Sequence, residues 1–175
     1  MLKKRHILLD ILEIALTENL STTIEYKPII NTNRVYQDFS VHNIDYRVEA
    51  VLIKAYSSYD NIVLLGFYNM TKNIETLTND AENSMMVFGI VFNWINDLID
   101  DLESGRFKFD PKHIVVSSKS DGDAKIYQKR TRLYFKMVSK FLALRPEYHL
   151  EDNISNIKIP DKYKDIPNTL FVVSK

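Results

Sequence analysis

The sequence predicts an α+β domain: a mostly antiparallel sheet packed by two long helices, with an N-terminal helix and an irregular C-terminal arm. Three observations predict it. Strand-forming residues with turn signals between them fill residues 34–68. Apolar residues recur at helical spacing over 80–103 and again over 122–144. Prolines then punctuate the segment from Pro146 onward. The expected organisation is a single domain over 1–146 and an arm over 147–175 that ends in a strand.

Each element has its own reason. Residues 3–19 place Ile7, Leu8, Ile11, Leu12, Ala15 and Leu16 on one helical face. Residues 21–30 are rich in β-formers and end near Pro28, and Asn31-Thr32-Asn33 is a turn signal before a short strand over 34–41. In residues 46–56, Tyr46, Val48, Ala50 and Leu52 share one face, while Val51, Ile53 and Ala55 share the other. Apolar residues on both faces predict a central strand. Residues 57–61 form a turn, and IVLLGFY from Ile62 is the next buried strand, so the group reads as an antiparallel meander.

Asn79 or Asp80 can cap the helix over 80–103, whose stripe of Ala81, Met85, Phe88, Val91, Phe92, Ile95, Leu98, Ile99 and Leu102 must lie on a sheet or another helix. Gly105 ends it. Pro111 precedes a strand at His113–Ser117, and the helix over 122–144 stops before Pro146. Residues 147–167 read as irregular, and TLFVV from Thr169 reads as the last strand.

Composition narrows the function classes. The 175 residues are 45% hydrophobic and 26% charged, a globular balance. Lys plus Arg equals Asp plus Glu at 23 each, so no global field draws the chain to nucleic acid or a membrane. With no cysteine there is no disulfide, thiolate zinc site or cysteine nucleophile. Asp10, Glu13 and Glu18 interrupt the apolar N-terminus, and no run reaches the length of a membrane span, so the expectation is a soluble intracellular protein.

Candidate chemistry is local. On the third helix, Lys125, Lys129, Arg132, Lys136 and Lys140 fall on one side, while Tyr134, Met137, Val138 and Phe141 fall opposite. Arg130 projects into the apolar arc near Tyr134. It either lays its stem along apolar surface or holds a cation at a cleft for a carboxylate or phosphate. Eight basic residues lie between Lys119 and Arg145, opposed by Asp121 and Asp123, so this helix could also contact nucleic-acid phosphates. The candidate binding residues are therefore Arg130, Tyr134, Lys125, Lys129, Arg132 and Lys136. His6, His42, His113 and His149 have no metal-ligand spacing, and no cofactor or metal is expected. The acidic run Asp97, Asp100, Asp101 and Glu103 reads as a solvated helix face. Gly66, Gly89, Gly105 and Gly122 are too far apart for a phosphate loop or dinucleotide fingerprint.

Two resemblances follow. The segment 88–141, with HIVVSS and then IYQKRTRLYFKMVSKF, resembles small uncharacterised α/β proteins of tailed bacteriophages and bacteria. Their Arg-x-x-Leu-Tyr helix motif matches Arg130, Leu133 and Tyr134. The strand–helix–strand–helix order is also similar to the second half of GNAT-type acetyltransferases. That likeness implies acyl-coenzyme A held by a glycine-rich turn before the long helix. The stretch in that place, TKNIETLTND at 71–80, has no glycine. The expectation is a non-enzymatic phage or mobile-element protein acting by binding protein partners or by self-assembly, in the host cytoplasm or the virion. Its tyrosines and phenylalanines would supply interface anchors. The alternatives are a GNAT-like acyltransferase and a nucleic-acid-binding protein using the basic helix over 125–140.

Overall fold

The computed structural model describes residues 24–54, 60–71, 81–117, 124–151, 157, 158, 160 and 169–175. Within these, the side chains of 81–84, 117, 124–133 and 169–171 lie outside the description, as does the whole stretch assigned above to an N-terminal helix.

Seven strands form one sheet. They are β1 (Ile29–Asn31), β2 (Arg34–Val41), β3 (Ile44–Ile53), β4 (Ile62–Asn69), β5 (His113–Ser117), β6 (His149–Leu150) and β7 (Thr169–Ser174). Two helices, α1 (Ala81–Glu103) and α2 (Ala124–Leu144), complete the fold. The strand order is β1-β2-β3-β4-β5-β7-β6. Every pair is antiparallel except β4 with β5. The fold class is α+β, and β6 lies where the sequence suggested an irregular arm. Two residues are too few to leave a strand signature in the sequence; pairing with β7 makes this one.

The hairpins follow from local chemistry. His42 and Asn43 take φ of 47° and 63°, the two consecutive left-handed positions that a two-residue turn needs to match strand twist. That turn joins β2 to β3 in the register Val41↔Ile44. The predicted strand start at Tyr46 is thus two residues late. At the end of α1, Gly105 adopts φ of 84° and its N–H donates to the Leu102 carbonyl, as a left-handed helix cap does.

Topology decides where the helices lie. β4–α1–β5 and β5–α2–β6 both join parallel strands, and both step the same way across the sheet. Right-handed crossovers in one direction place both helices on one face. The main core agrees. It joins Val35, Phe39, Tyr46, Val48, Ala50, Leu52, Val63, Leu65, Ile114, Val116 and Val173 of the sheet to both helices. The predicted α1 stripe is buried, and so are Val87, Ile90 and Trp94 beyond it. The stripe is wider than expected because residues 24–28 cross that side of α1. Gln37 fixes the crossing: its Oε1 accepts from Trp94 Nε1 at 3.2 Å and from the Lys27 N–H at 2.9 Å, while its Nε2 donates to the Glu25 carbonyl at 2.7 Å. A buried amide satisfied on both ends costs the core little.

The opposite face is divided. Ile53, Ile62, Leu64, Val115 and Val172 form a second apolar cluster with Val51 and Ile157 against it. Toward β2 the same face turns polar, with Arg34 paired to Glu49 and Arg47 gripping Asp38 through two bonds. Among the described residues, no helix is long and apolar enough to cross a membrane.

Candidate ligand cleft at the parting of β4 and β5

The parallel pair β4/β5 does not run the length of β4. Its register is Ile62↔His113, Val63↔Ile114, Leu64↔Val115 and Leu65↔Val116, and there it stops. A register shift between Val116 and Ser117 re-aims β5, and among the described strands Ser117 pairs with Thr169 of β7. β4 continues through Gly66, Phe67, Tyr68 and Asn69 with β3 alone as a partner among the described strands. The Met70 N–H donates to the Asp45 carbonyl at 2.7 Å, so the even-numbered residues of β4 turn their backbone groups to β3. The odd-numbered ones turn theirs to the β5 side. Val63 and Leu65 meet β5 there, while Phe67 stands past the last β5 partner.

Three aromatic rings cluster beside this end of β4. Phe67 from β4, Phe88 from α1 and Tyr134 from α2 meet pairwise, with centroids 5.9 Å, 6.2 Å and 5.4 Å apart. The edge-to-face Phe67–Phe88 and Phe88–Tyr134 contacts are the favoured geometry for rings. Phe88 and Tyr134 are buried, whereas Phe67 is partly exposed. Below them, a gap of about 20 Å³ lies between the sheet and both helices, lined by Leu65, Val116, Met137 and Phe141 among others. The β4–α1 connection leaves from this same end of β4. A strand end that no second described strand pairs, with an apolar ring cluster beside it, suits an extended chain with an apolar head.

Of the sequence-predicted site residues, Tyr134 is the one whose side chain is seen in this opening. Arg130 is one helical turn before Tyr134 on α2. The side chains of Arg130, Lys125, Lys129 and Arg132 lie outside the described residues. Lys136 is half-buried. Further along the basic stripe, the Lys140 ammonium stands 5.7 Å from the Phe92 ring centroid. Arg145, counted above in the basic patch, is turned inward.

Arg145 organises a network that the sequence did not reveal. Its guanidinium donates to Asp100 at 2.6 Å, to the Asn96 carbonyl at 3.1 Å, to Glu103 at 3.2 Å and to Asn96 Oδ1 at 3.4 Å. Glu103 also accepts from Tyr148 Oη and Lys175 Nζ. Burial, then the Glu103 charge, pushes the Tyr148 hydroxyl well above the usual tyrosine range. The acidic run is a largely exposed helix face, as expected, that also carries ion pairs: Asp100 and Glu103 hold Arg145, and Asp101 holds Tyr26 and Arg106. The one available signal was an arginine between the last helical residue and Pro146, the place where a side chain can fold back over the helix end. A groove of about 500 Å³ lies beside the network, between α1 and the α2–β6 turn. Asp97 lines it, and burial, then the Asp100 charge, holds its carboxyl above the ordinary range.

A serine, a histidine and an aspartate also meet. His113 Nδ1 lies 2.7 Å from Ser174 Oγ and Nε2 lies 3.2 Å from Asp60. Ser174 is 3% exposed, so this is a clasp between β5, β7 and the start of β4 and not an accessible nucleophile. Among the described residues, no group of three or more histidine and carboxylate side chains could hold a metal ion. No protein-family model, curated protein or solved structure matches this chain.

Proposed function

We propose that this chain binds an acyl thioester of the coenzyme A class in the opening between β4 and β5, as an acyltransferase of GNAT-like architecture. One observation carries the reading. The parallel strands joined through α1 part after Leu65 and Val116, and the turn that the GNAT resemblance assigns to the cofactor springs from that parted end. Ligands of sheet proteins with parallel strands collect at the carboxyl ends of those strands. The thioester arm would approach β4 beyond Leu65, where β5 no longer pairs with it, with its acyl end against Phe67, Phe88 and Tyr134.

Thermal unfolding with acetyl-coenzyme A tests this. A ligand at a hundred times its Kd stabilises by about 2.7 kcal/mol, or roughly 5–10 °C in Tm for a domain of this size. The expected result is such a rise, reduced or lost in Phe67→Asp, which places a carboxylate on the wall. An unchanged Tm at saturating ligand contradicts the reading.

A second reading keeps the chain non-enzymatic, as a phage or mobile-element protein that binds protein partners in the host cytoplasm or the virion. The Arg-x-x-Leu-Tyr resemblance supports it, and so does the edge strand β1. Ile29 and Ile30 of that strand are 52% and 47% exposed and point to opposite faces. Among the described residues no strand pairs with the outer edge of β1, and such an edge accepts a partner's strand. This reading predicts no response to acetyl-coenzyme A in the same experiment.

A further inference from the structure

We infer that the helix layer packs on that of a second copy of this chain, α1 of each lying on α2 of the other across a two-fold axis parallel to the helices. The inference goes beyond both readings above and needs no ligand.

The two helices carry opposite charge. α1 contains Glu82, Asp97, Asp100, Asp101 and Glu103 and no basic residue. α2 contains Lys125, Lys129, Arg130, Arg132, Lys136 and Lys140 and no acidic one. A chain without net charge has thus divided its charge between two neighbouring helices. Part of it is used within the chain, since Asp100 and Glu103 hold Arg145 and Asp101 holds Arg106. Part is not. Among the described residues, Asp97, Lys136 and Lys140 have no oppositely charged partner. The exposed Asp97 carboxylate has the like charge of Asp100 beside it. A surface with unpaired anions on one helix and unpaired cations on the next is complementary to itself.

The topology says how two such surfaces meet. β4 and β5 are parallel and each leads into one helix, so α1 and α2 run parallel on the same face. They are in step: Phe88 meets Tyr134, Phe92 meets Lys140 and Asn96 meets Arg145. Two kinds of two-fold axis can bring this layer face to face with its copy. An axis across the helices lays α1 on α1 and α2 on α2, like charge on like. An axis along them lays α1 on α2 twice over, with the helices still in step. Lys140 of one copy then stands roughly 7 Å along the helix axis from Asp97 of the other, within a lysine's reach. Leu144, 60% exposed, falls near the axis, at the groove of about 500 Å³ that it lines with Phe92, Asn93 and Asp97. Two helices about 30 Å long and roughly 10 Å apart offer a face on the order of the ~800 Å² that a standard interface takes from each partner.

Sedimentation equilibrium of the full chain tests this. At about 100 μM the expected mass is twice the 20.5 kDa of the chain, falling as added salt screens the ion pairs. Asp97→Lys and Lys140→Glu should each weaken the dimer about tenfold or more. Both changes together, which face one another across the axis, should restore it to within about threefold of the parent. Leu144→Asp should give a monomer with an unchanged Tm, because the side chain is exposed in the single chain. A parent chain that stays monomeric overturns the inference. So does a dimer that neither single change weakens, the result expected of pairing through the β1 edge. A double variant no tighter than the single ones overturns the placing of α1 on α2. A monomer whose Lys136 and Lys140 bind single-stranded DNA would give this face to nucleic acid instead.

Discussion

Trp94→Ala is expected to lower the unfolding free energy by about 4 kcal/mol, the range for emptying a buried tryptophan site. Trp94 is 2% exposed. It packs in the main core, meets Tyr26 at 6.1 Å between ring centroids, and donates to Gln37 of β2. Its loss empties a large volume and removes one of the contacts by which residues 24–28 cross α1. Trp94→Phe is expected to cost far less. Gln37 Oε1 keeps the Lys27 N–H, so only part of the ring volume and one hydrogen bond worth about 1 kcal/mol are lost. Urea unfolding followed by circular dichroism checks both, since the chain has a single tryptophan and fluorescence would lose its probe. A fall in the midpoint at constant slope is expected. A cost below about 1 kcal/mol for the alanine variant would mean that the site closes over the gap.

Arg145→Ala is expected to cost about 3 kcal/mol, the lower end for removing one partner of a buried ionic network. The Arg145 side chain is 10% exposed, and it offers a planar fork to four acceptors on α1. Removing it leaves Asp100 and Glu103 close together with Lys175 as their remaining cation, and it also strips a cation from the Phe141 ring, 5.5 Å away. Arg145→Lys should recover little, because one ammonium cannot reach the same set of acceptors. Added salt should reduce the Asp100 part of the cost more than the Glu103 part, since Asp100 is 70% exposed and Glu103 26%. Asp100→Asn, whose side chain is 70% exposed, should cost much less. An Arg145→Ala cost near zero would mean that the network holds nothing together.

These two residues also show what was legible in the sequence. Period and turn chemistry placed the helices and the central strands to within a few residues, because burial on one or both faces writes itself into spacing. The parting of β4 from β5 was not legible. HIVVS and IVLLGFY both read as buried strands, and nothing local says that their pairing ends at Leu65 and Val116. That end is set by the register shift at Ser117 and by the partner β7, more than fifty residues further on. The two-residue strand β6 was hidden for the same reason. Tyr134 was singled out for its place in a motif, and the structure brings it to Phe67 and Phe88. Arg145 was counted as a surface charge because composition cannot distinguish a solvated arginine from one folded back on a neighbouring helix. The ion pairs of Asp100 and Glu103 were hidden for the same reason: Arg145 lies more than forty residues ahead of both.

Hydrogen exchange at the Phe67 amide, followed by NMR with and without acetyl-coenzyme A, reaches the parted strands most directly. In the free protein this amide should exchange much faster than that of Leu65, whose N–H still faces β5. Saturating acetyl-coenzyme A should then slow it. An amide as slow as Leu65 in the free protein, or one that the ligand leaves untouched while residues 93–100 become protected, would contradict a cleft between these two strands.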